Sequence, residues 1–175
     1  MPELIPVLEG DAITEKIADL ARKISADYKS RPLVVIGVLK GAFIFMADLV
    51  RRIENENLII DFVRATSYGT GTRTSGYIRI LKDIEVDIRD KDVLLVEDIL
   101  DSGLTASYLI EHFKQHSPKS IKLCAFIDKR ERREVELEAD YVGHRADGFL
   151  VGYGLDYAES YRHLPGIYVL DLEST

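Results

Sequence analysis

Residues 93–106 read VLLVEDILDSGLTA, and few folds accommodate that order of residue types. Val93, Leu94, Leu95 and Val96 form an unbroken apolar run of strand length and partly β-branched character, which fits a strand covered on both faces, as in a parallel sheet. From Ala106 the period changes. Ala106, Leu109, Ile110 and Phe113 stand at i, i+3, i+4 and i+7, so the pattern predicts a helix with one inward face that stops near Ser117 and Pro118. The unit is strand, acidic turn, helix.

Ligands of open α/β sheets bind beyond the carboxyl ends of the strands, and a helix N-terminus with free backbone amides suits a phosphate. With Gly103 and two hydroxyls, the run Asp101, Ser102, Gly103, Leu104 and Thr105 reads as a phosphate cradle. Glu97, Asp98 and Asp101 would repel a bare polyphosphate by several kcal/mol in a partly dry site. A divalent cation resolves the conflict. Magnesium keeps several waters and takes one or two carboxylates plus substrate oxygens, so the acidic pair beside the cradle points to a metal-bound, phosphorylated ligand. The competing reading, a solvated acidic loop capping a helix, fits poorly with a buried strand running straight into the acids.

The rest of the chain repeats the alternation. Asp11 is placed to cap a helix whose Ile13, Ile17, Leu20, Ala21 and Ile24 share a face. Residues 33–39 read as a second buried strand, followed by Lys40 and Gly41 and by a helix over 42–53. Residues 58–67, 93–97, 121–127 and 167–170 supply further strands. The expected fold is α/β, a doubly wound, mainly parallel sheet flanked by helices. With no repeat or dividing linker, residues 1–175 are expected to form a single domain, and the Gly- and hydroxyl-rich run 69–76 (GTGTRTSG) a mobile loop.

Other function classes are disfavoured. The chain has neither G-x-x-x-x-G-K-[ST] nor a G-x-G-x-x-G following a strand, against a P-loop or a dinucleotide fold. A net charge of -7 argues against nucleic-acid or anionic-membrane surfaces. The single cysteine, Cys124, lies in an apolar run and reads as a buried thiol in a reducing compartment. No signal-like start is visible, and a cytoplasmic location is expected. His112 and His116 are four apart but lack the Glu of a zinc-protease motif, and read as surface histidines. Residues 131–138, ERREVELE, read as solvated surface.

The run E-D-x-x-D-S-G-x-T resembles the phosphoribosyl-pyrophosphate motif of the type I phosphoribosyltransferases, two acids after a hydrophobic strand and then a D-[ST]-G-x-T turn. The order Glu97-Asp98 and the run Phe149-Leu150-Val151-Gly152-Tyr153-Gly154-Leu155-Asp156-Tyr157 resemble, more narrowly, bacterial hypoxanthine-guanine phosphoribosyltransferases, over residues 34–170. That resemblance implies the type I fold with a small hood formed by terminal segments, and transfer of phosphoribosyl from phosphoribosyl pyrophosphate to a 6-oxopurine. It implies Mg2+ at Glu97 and Asp98, with Asp156 at the base edge or a second magnesium. Phosphoribosyl pyrophosphate would be bound by Lys40, Gly41, Asp98, Asp101, Ser102, Gly103, Leu104, Thr105 and Arg162, with an unusual peptide between Leu39 and Lys40. Ser67 and Tyr68 would start a loop that closes over the sugar.

Lys129 would face the oxo group at purine carbon 6, Phe149 would stack on the base, Leu150 would offer backbone groups, and Asp101 would move a proton at nitrogen 7. A homodimer or homotetramer is implied. Leu104 stands where some members carry lysine, and Leu150 where valine or isoleucine is common. Two alternatives stay open: a non-catalytic phosphoribosyl-pyrophosphate sensor, and a transferase preferring xanthine.

Overall fold

The computed structural model describes residues 3–68 and 77–171. The loop expected at 69–76 lies outside the described residues. In chain order the elements are β1 (Glu3–Leu8), α1 (Gly10–Tyr28), β2 (Leu33–Leu39), α2 (Phe43–Val50), β3 (Leu58–Tyr68), β4 (Tyr77–Lys82), β5 (Asp92–Leu100), α3 (Leu104–Lys114), β6 (Ser120–Asp128), β7 (Tyr141–Arg145), β8 (Leu150–Val151) and β9 (Ile167–Asp171).

A six-stranded sheet has the order β4-β3-β2-β5-β6-β7. Every pair in it is parallel except β3–β4, so the mainly parallel sheet carries one antiparallel edge strand. Both chain ends meet in a small antiparallel sheet, β1-β9-β8, which is the hood expected of the terminal segments. From β2 the chain moves outward to β3 on one side, and from β5 through β6 to β7 on the other. The carboxyl ends of β2 and β5 therefore flank the topological switch point, where a crevice opens.

The strand residues divide the core by parity. Val35, Leu94, Val96, Cys124 and Phe126 pack with α1 and α2, whereas Val34, Ile36, Val93, Leu95, Leu123 and Ala125 pack with α3. Each fully buried aliphatic side chain stabilises the fold by about 1.5–3 kcal/mol. Cys124 is free and buried, and burial pushes its thiol pKa up, which keeps it protonated and unreactive.

Several boundaries differ from the pattern-based expectation. β5 runs past its expected end at Glu97 to Leu100 because β6 keeps pairing with it, Ile99 to Ile127 and Leu100 to Asp128, so Asp98 lies in the strand rather than in a turn. α1 starts at Gly10 after Glu9, and Asp11 stabilises its first turn through the helix dipole instead of capping it. α2 ends at Val50, where Arg52 N–H turns back to the Leu49 carbonyl. α3 stops at Lys114, and the amides of Gln115, His116 and Ser117 bond three residues back. β1, β4, β7 and β8 carry too little apolar periodicity to stand out in the sequence.

Asp61 in β3 anchors the β4–β5 connection. Its carboxylate accepts from the amides of Phe62 (2.7 Å), Glu85 (2.6 Å) and Val86 (3.0 Å). Burial pushes its pKa up, but those amides together with Lys82 win and hold it below 3.8. A carboxylate with a depressed folded pKa contributes stability above its unfolded pKa and loses it as pH falls through the folded one. Asp61→Ala is expected to lower unfolding free energy by about 1–3 kcal/mol at pH 7, since it strands buried amides. Denaturant titrations should show the gap to wild type narrowing below about pH 4. A gap independent of pH would show that the charge contributes nothing.

Candidate active site

At the switch point lies a cleft of about 290 Å³, lined by Gly41 after β2, by Glu97, Asp98 and Asp101 from β5 onward, by Ser102, Gly103 and Thr105 at the start of α3, and by Asp156 and Arg162 from the segment after β8. Gly103 occupies the N-cap of α3 with φ 82°, a left-handed conformation that glycine adopts without steric cost, and this turn presents the first amides of the helix to the cleft.

Glu97 is buried at 7% exposure and Asp98 is half-buried. Burial pushes Glu97 well above the ordinary carboxylate range, and the charge of Asp98 adds to the effect. Burial also raises Asp98 to about 6, opposed by the Ile99 amide and by Arg162 and assisted by Asp156. Among the described residues neither acid has an ion-pair partner. The pair is thus a largely buried oxygen-donor set with no direct ion-pair partner, and a hard divalent cation is the ligand that fits it. Asp101 Oδ1 is buried without a hydrogen-bond partner, while Oδ2 lies 3.5 Å from Arg132.

Close backbone approaches assemble the cleft. A methyl on Gly41 would fall 1.9 Å from Asp98 Oδ2, and one on Gly154 would fall 2.1 Å from the Gly41 carbonyl oxygen. Gly154 also takes φ 101°. The segment after β8 therefore lies directly over the end of β2, with Arg162 bonded to the Gly154 carbonyl at 2.7 Å and to Asp156 at 2.9 Å. The Arg162 Nε is buried without an acceptor. The Leu39–Lys40 peptide is cis.

Some expected site residues stand apart from this cleft. Lys40 directs its ammonium away to Glu159, at 2.6 Å. Leu104 is not among the lining residues. Ser67 and Tyr68 end β3, paired with Ile78 and Tyr77, and Ser67 is not among the residues lining the cleft. Lys129, Phe149 and Leu150 form a second group. Lys129 is 7% exposed with its ammonium 3.8 Å from Glu131, and its amide bonds the Leu100 carbonyl at 3.0 Å. Glu131 also accepts from the Gly148 amide at 2.9 Å, tethering the Phe149 segment beside it. Phe149 is 43% exposed and meets Tyr157 edge to face at 5.5 Å, whereas the Leu150 side chain is buried in the core.

Residues 131–138 are not uniformly solvated. Arg133 donates from Nε to the Asp101 carbonyl at 2.9 Å, and from Nη2 to the carbonyls of Leu100 (3.1 Å) and Lys129 (3.2 Å) and to Asp128 Oδ1 (2.6 Å). One guanidinium fork thereby joins the ends of β5 and β6. Only its even spacing from Lys129 distinguished Arg133 within a charged run, and that signal is weak. Glu159 was also missed. Ala158, Glu159 and Tyr161 take φ of 48°, 67° and 76°, a left-handed path that turns Glu159 towards Lys40 and to 3.5 Å from Arg162. The hydrogen bond and charge of Lys40 hold the Glu159 carboxyl below its ordinary range.

A carboxyl-edge crevice thus gathers paired acids, a glycine-opened helix start and Arg162, the arrangement of a ligand-binding α/β sheet. The model of the phosphoribosyl transferase domain matches residues 7–158, and the chain belongs to that family. Within it, the chain is similar to the hypoxanthine-guanine phosphoribosyltransferase of Aquifex aeolicus, 46% identical over 167 residues that cover 94% of this chain and 93% of that one. It is likewise 46% identical to the hypoxanthine phosphoribosyltransferase of Escherichia coli over 167 residues, 94% and 92% of the two chains. A crystal structure of a hypoxanthine-guanine phosphoribosyltransferase from Bacillus anthracis superposes with a TM-score of 0.91 at 48% identity, covering 96% of this chain and 99% of that one.

Glu159 sits as an internal anion on Lys40 and Arg162, the two cations expected to meet a phosphorylated donor. Glu159→Gln is expected to lower KM for the phosphoribosyl donor severalfold with little change in kcat, read from steady-state rates at saturating base. An unchanged KM would show that Glu159 does not compete with the donor.

Proposed function

We propose that this chain is a purine-salvage enzyme that transfers the phosphoribosyl group of phosphoribosyl pyrophosphate to hypoxanthine or guanine, giving IMP or GMP and pyrophosphate. The observation that carries the reading is the convergence, in one cleft, of the Glu97–Asp98 pair, the cradle opened by Gly103, Arg162 and an Asp101 oxygen that is buried without a partner. The names of the similar proteins agree with it.

In this reading the amides and hydroxyls of Ser102, Gly103, Leu104 and Thr105 hold the phosphate of the ribose. Glu97 and Asp98 would hold magnesium, with Asp156 at the base edge or at a second magnesium, and the ion would supply positive charge against the pyrophosphate. Lys40, Gly41 and Arg162 bind the pyrophosphate and stabilise the charge it gains on leaving. A purine nitrogen forms a bond to the anomeric carbon while the carbon–oxygen bond to pyrophosphate breaks, its electron pair departing with the oxygen. Charge stabilisation and exclusion of water carry much of the rate for such a centre.

Asp101 accepts the proton that the base must shed, at nitrogen 7. Phe149 stacks on the base, and the backbone at Leu150 meets its edge. The Lys129 ammonium donates to an oxo group at carbon 6; an amino group there would leave a buried cation unpaired, a penalty of about 1–3 kcal/mol or more. Operation as a single unit over residues 1–175, with Ser67 and Tyr68 at the foot of the segment facing the sugar, belongs to the same proposal. So do a cytoplasmic location and a homodimeric or homotetrameric assembly. Among the described residues no helix is long and apolar enough to cross a membrane.

The test is a rate assay with phosphoribosyl pyrophosphate, magnesium and, separately, hypoxanthine, guanine, xanthine and adenine. Nucleotide formation with hypoxanthine or guanine, dependent on magnesium and absent with adenine, is the expected result. Tight donor binding without turnover on any base would instead make the protein a sensor. Asp101→Asn is expected to reduce kcat by roughly 10²- to 10⁴-fold with donor binding kept. Wild-type turnover in that variant would remove Asp101 from proton transfer.

A further inference from the structure

The connection after β4 and the outer face of α3 meet in a cluster that the transfer reaction does not use. His112 stands in the last turn of α3 and His116 in the turn that follows the helix, with ring centroids 5.3 Å from each other. Asp83 reaches them from the β4–β5 connection, its Oδ2 lying 2.8 Å from His112 Nε2. One ligand atom from each of the three residues lies within 4.8 Å of the others, and among the described residues no other such group of His, Cys, Asp or Glu converges. The i, i+4 pair visible in the sequence thus gains a third donor only through the fold.

We infer that Asp83, His112 and His116 form a binding site for a borderline-soft divalent transition metal, zinc foremost. Two imidazoles and one carboxylate match the donor preference of zinc and discriminate against magnesium and calcium, which take oxygen ligands. Zinc bonds of about 2.0–2.2 Å place neighbouring donor atoms roughly 3.4 Å apart in a tetrahedron, leaving a fourth position for water. The present spread has to contract, and it can. His116 is exposed and the Asp83 side chain is 43% exposed, so side-chain rotation supplies the movement without shifting backbone.

The surrounding charge is mixed. Asp87 is near enough to His116 for their charges to interact, and Lys91 and Arg89 act on Asp87 in turn. Lys82, the neighbour of Asp83, bonds the Asp83 backbone carbonyl at 3.1 Å, and its ammonium pairs with the carboxylates of Glu85 at 3.0 Å and Asp61 at 3.7 Å. Bound metal ties the β4–β5 connection to α3, the helix whose opposite end forms the phosphate cradle. The site rests on these three side chains alone and stands whether or not the proposed reaction does.

The test uses the whole chain, freed of metal and held in excess Mg2+ so that oxygen-donor sites are occupied. Zn2+ is titrated by calorimetry, and Co2+ by its visible absorption. One equivalent of zinc, with the intense visible bands of low-coordinate cobalt, is expected. His116→Ala and Asp83→Asn are each expected to weaken zinc binding by at least about tenfold, as loss of a ligand should cost no less than loss of a residue that merely orients one. His163→Ala, remote in sequence and exposed, should leave it unchanged. Both variants alter exposed side chains, and the thermal midpoint without zinc should match wild type, whereas the rise with zinc should disappear. Zinc binding that survives His116→Ala, or no binding at micromolar zinc, overturns the assignment.

Discussion

At the end of β5 the Asp98 carboxylate presses against Gly41, so closely that a methyl at that position would fall 1.9 Å from it. Beside it Glu97 is buried, and the charge of Asp98 makes it harder still to ionise. Two adjacent desolvated carboxylates are costly in any fold, and they persist here because the surrounding chain is built around them. Gly41 removes the side chain that would block Asp98, Gly154 lets the segment after β8 cross the Gly41 carbonyl, and that crossing brings Arg162 to the rim. Replace either glycine and the acids, the cations and the strand end can no longer occupy the same few ångströms.

Charge is divided across the cleft. The acids belong to β5 and the start of α3, whereas Lys40 and Arg162 come from the opposite rim and are partly neutralised by Glu159 and Asp156. A phosphorylated donor that arrives with a divalent cation can satisfy both sides together. Arg133 serves a different purpose. Its guanidinium, 15% exposed, binds four carbonyls and a carboxylate, and so fixes the distance between Asp101 on one strand end and Lys129 on the next. The two residues, at neighbouring strand ends, keep their relative placement through that brace.

The alternation of strands and helices was legible because burial on both faces leaves unbroken apolar runs: Leu33–Leu39 matches its expected bounds, and Cys124 is buried as anticipated. β4 and β7 were not legible, since an edge strand such as YIRILK gains its identity from the neighbour it pairs with rather than from its own pattern. The same reason extends β5 through its acids. In the site, the motif residues from Glu97 to Thr105 are contiguous and could be read directly, whereas Glu159, Arg133 and the Asp83 partner of His112 act across 119, 32 and 29 residues of chain.

Local residue order was enough to read the class of fold, the acidic pair, the turn that opens α3 and, through resemblance, the family. Only the tertiary structure decided which charges face each other: that Lys40 is held by Glu159, that Arg133 is a brace rather than solvated surface, and that two surface histidines share an aspartate. Charged side chains are locally soluble wherever they stand. Their partners are set by which strands become neighbours, and that is a property of the packed sheet.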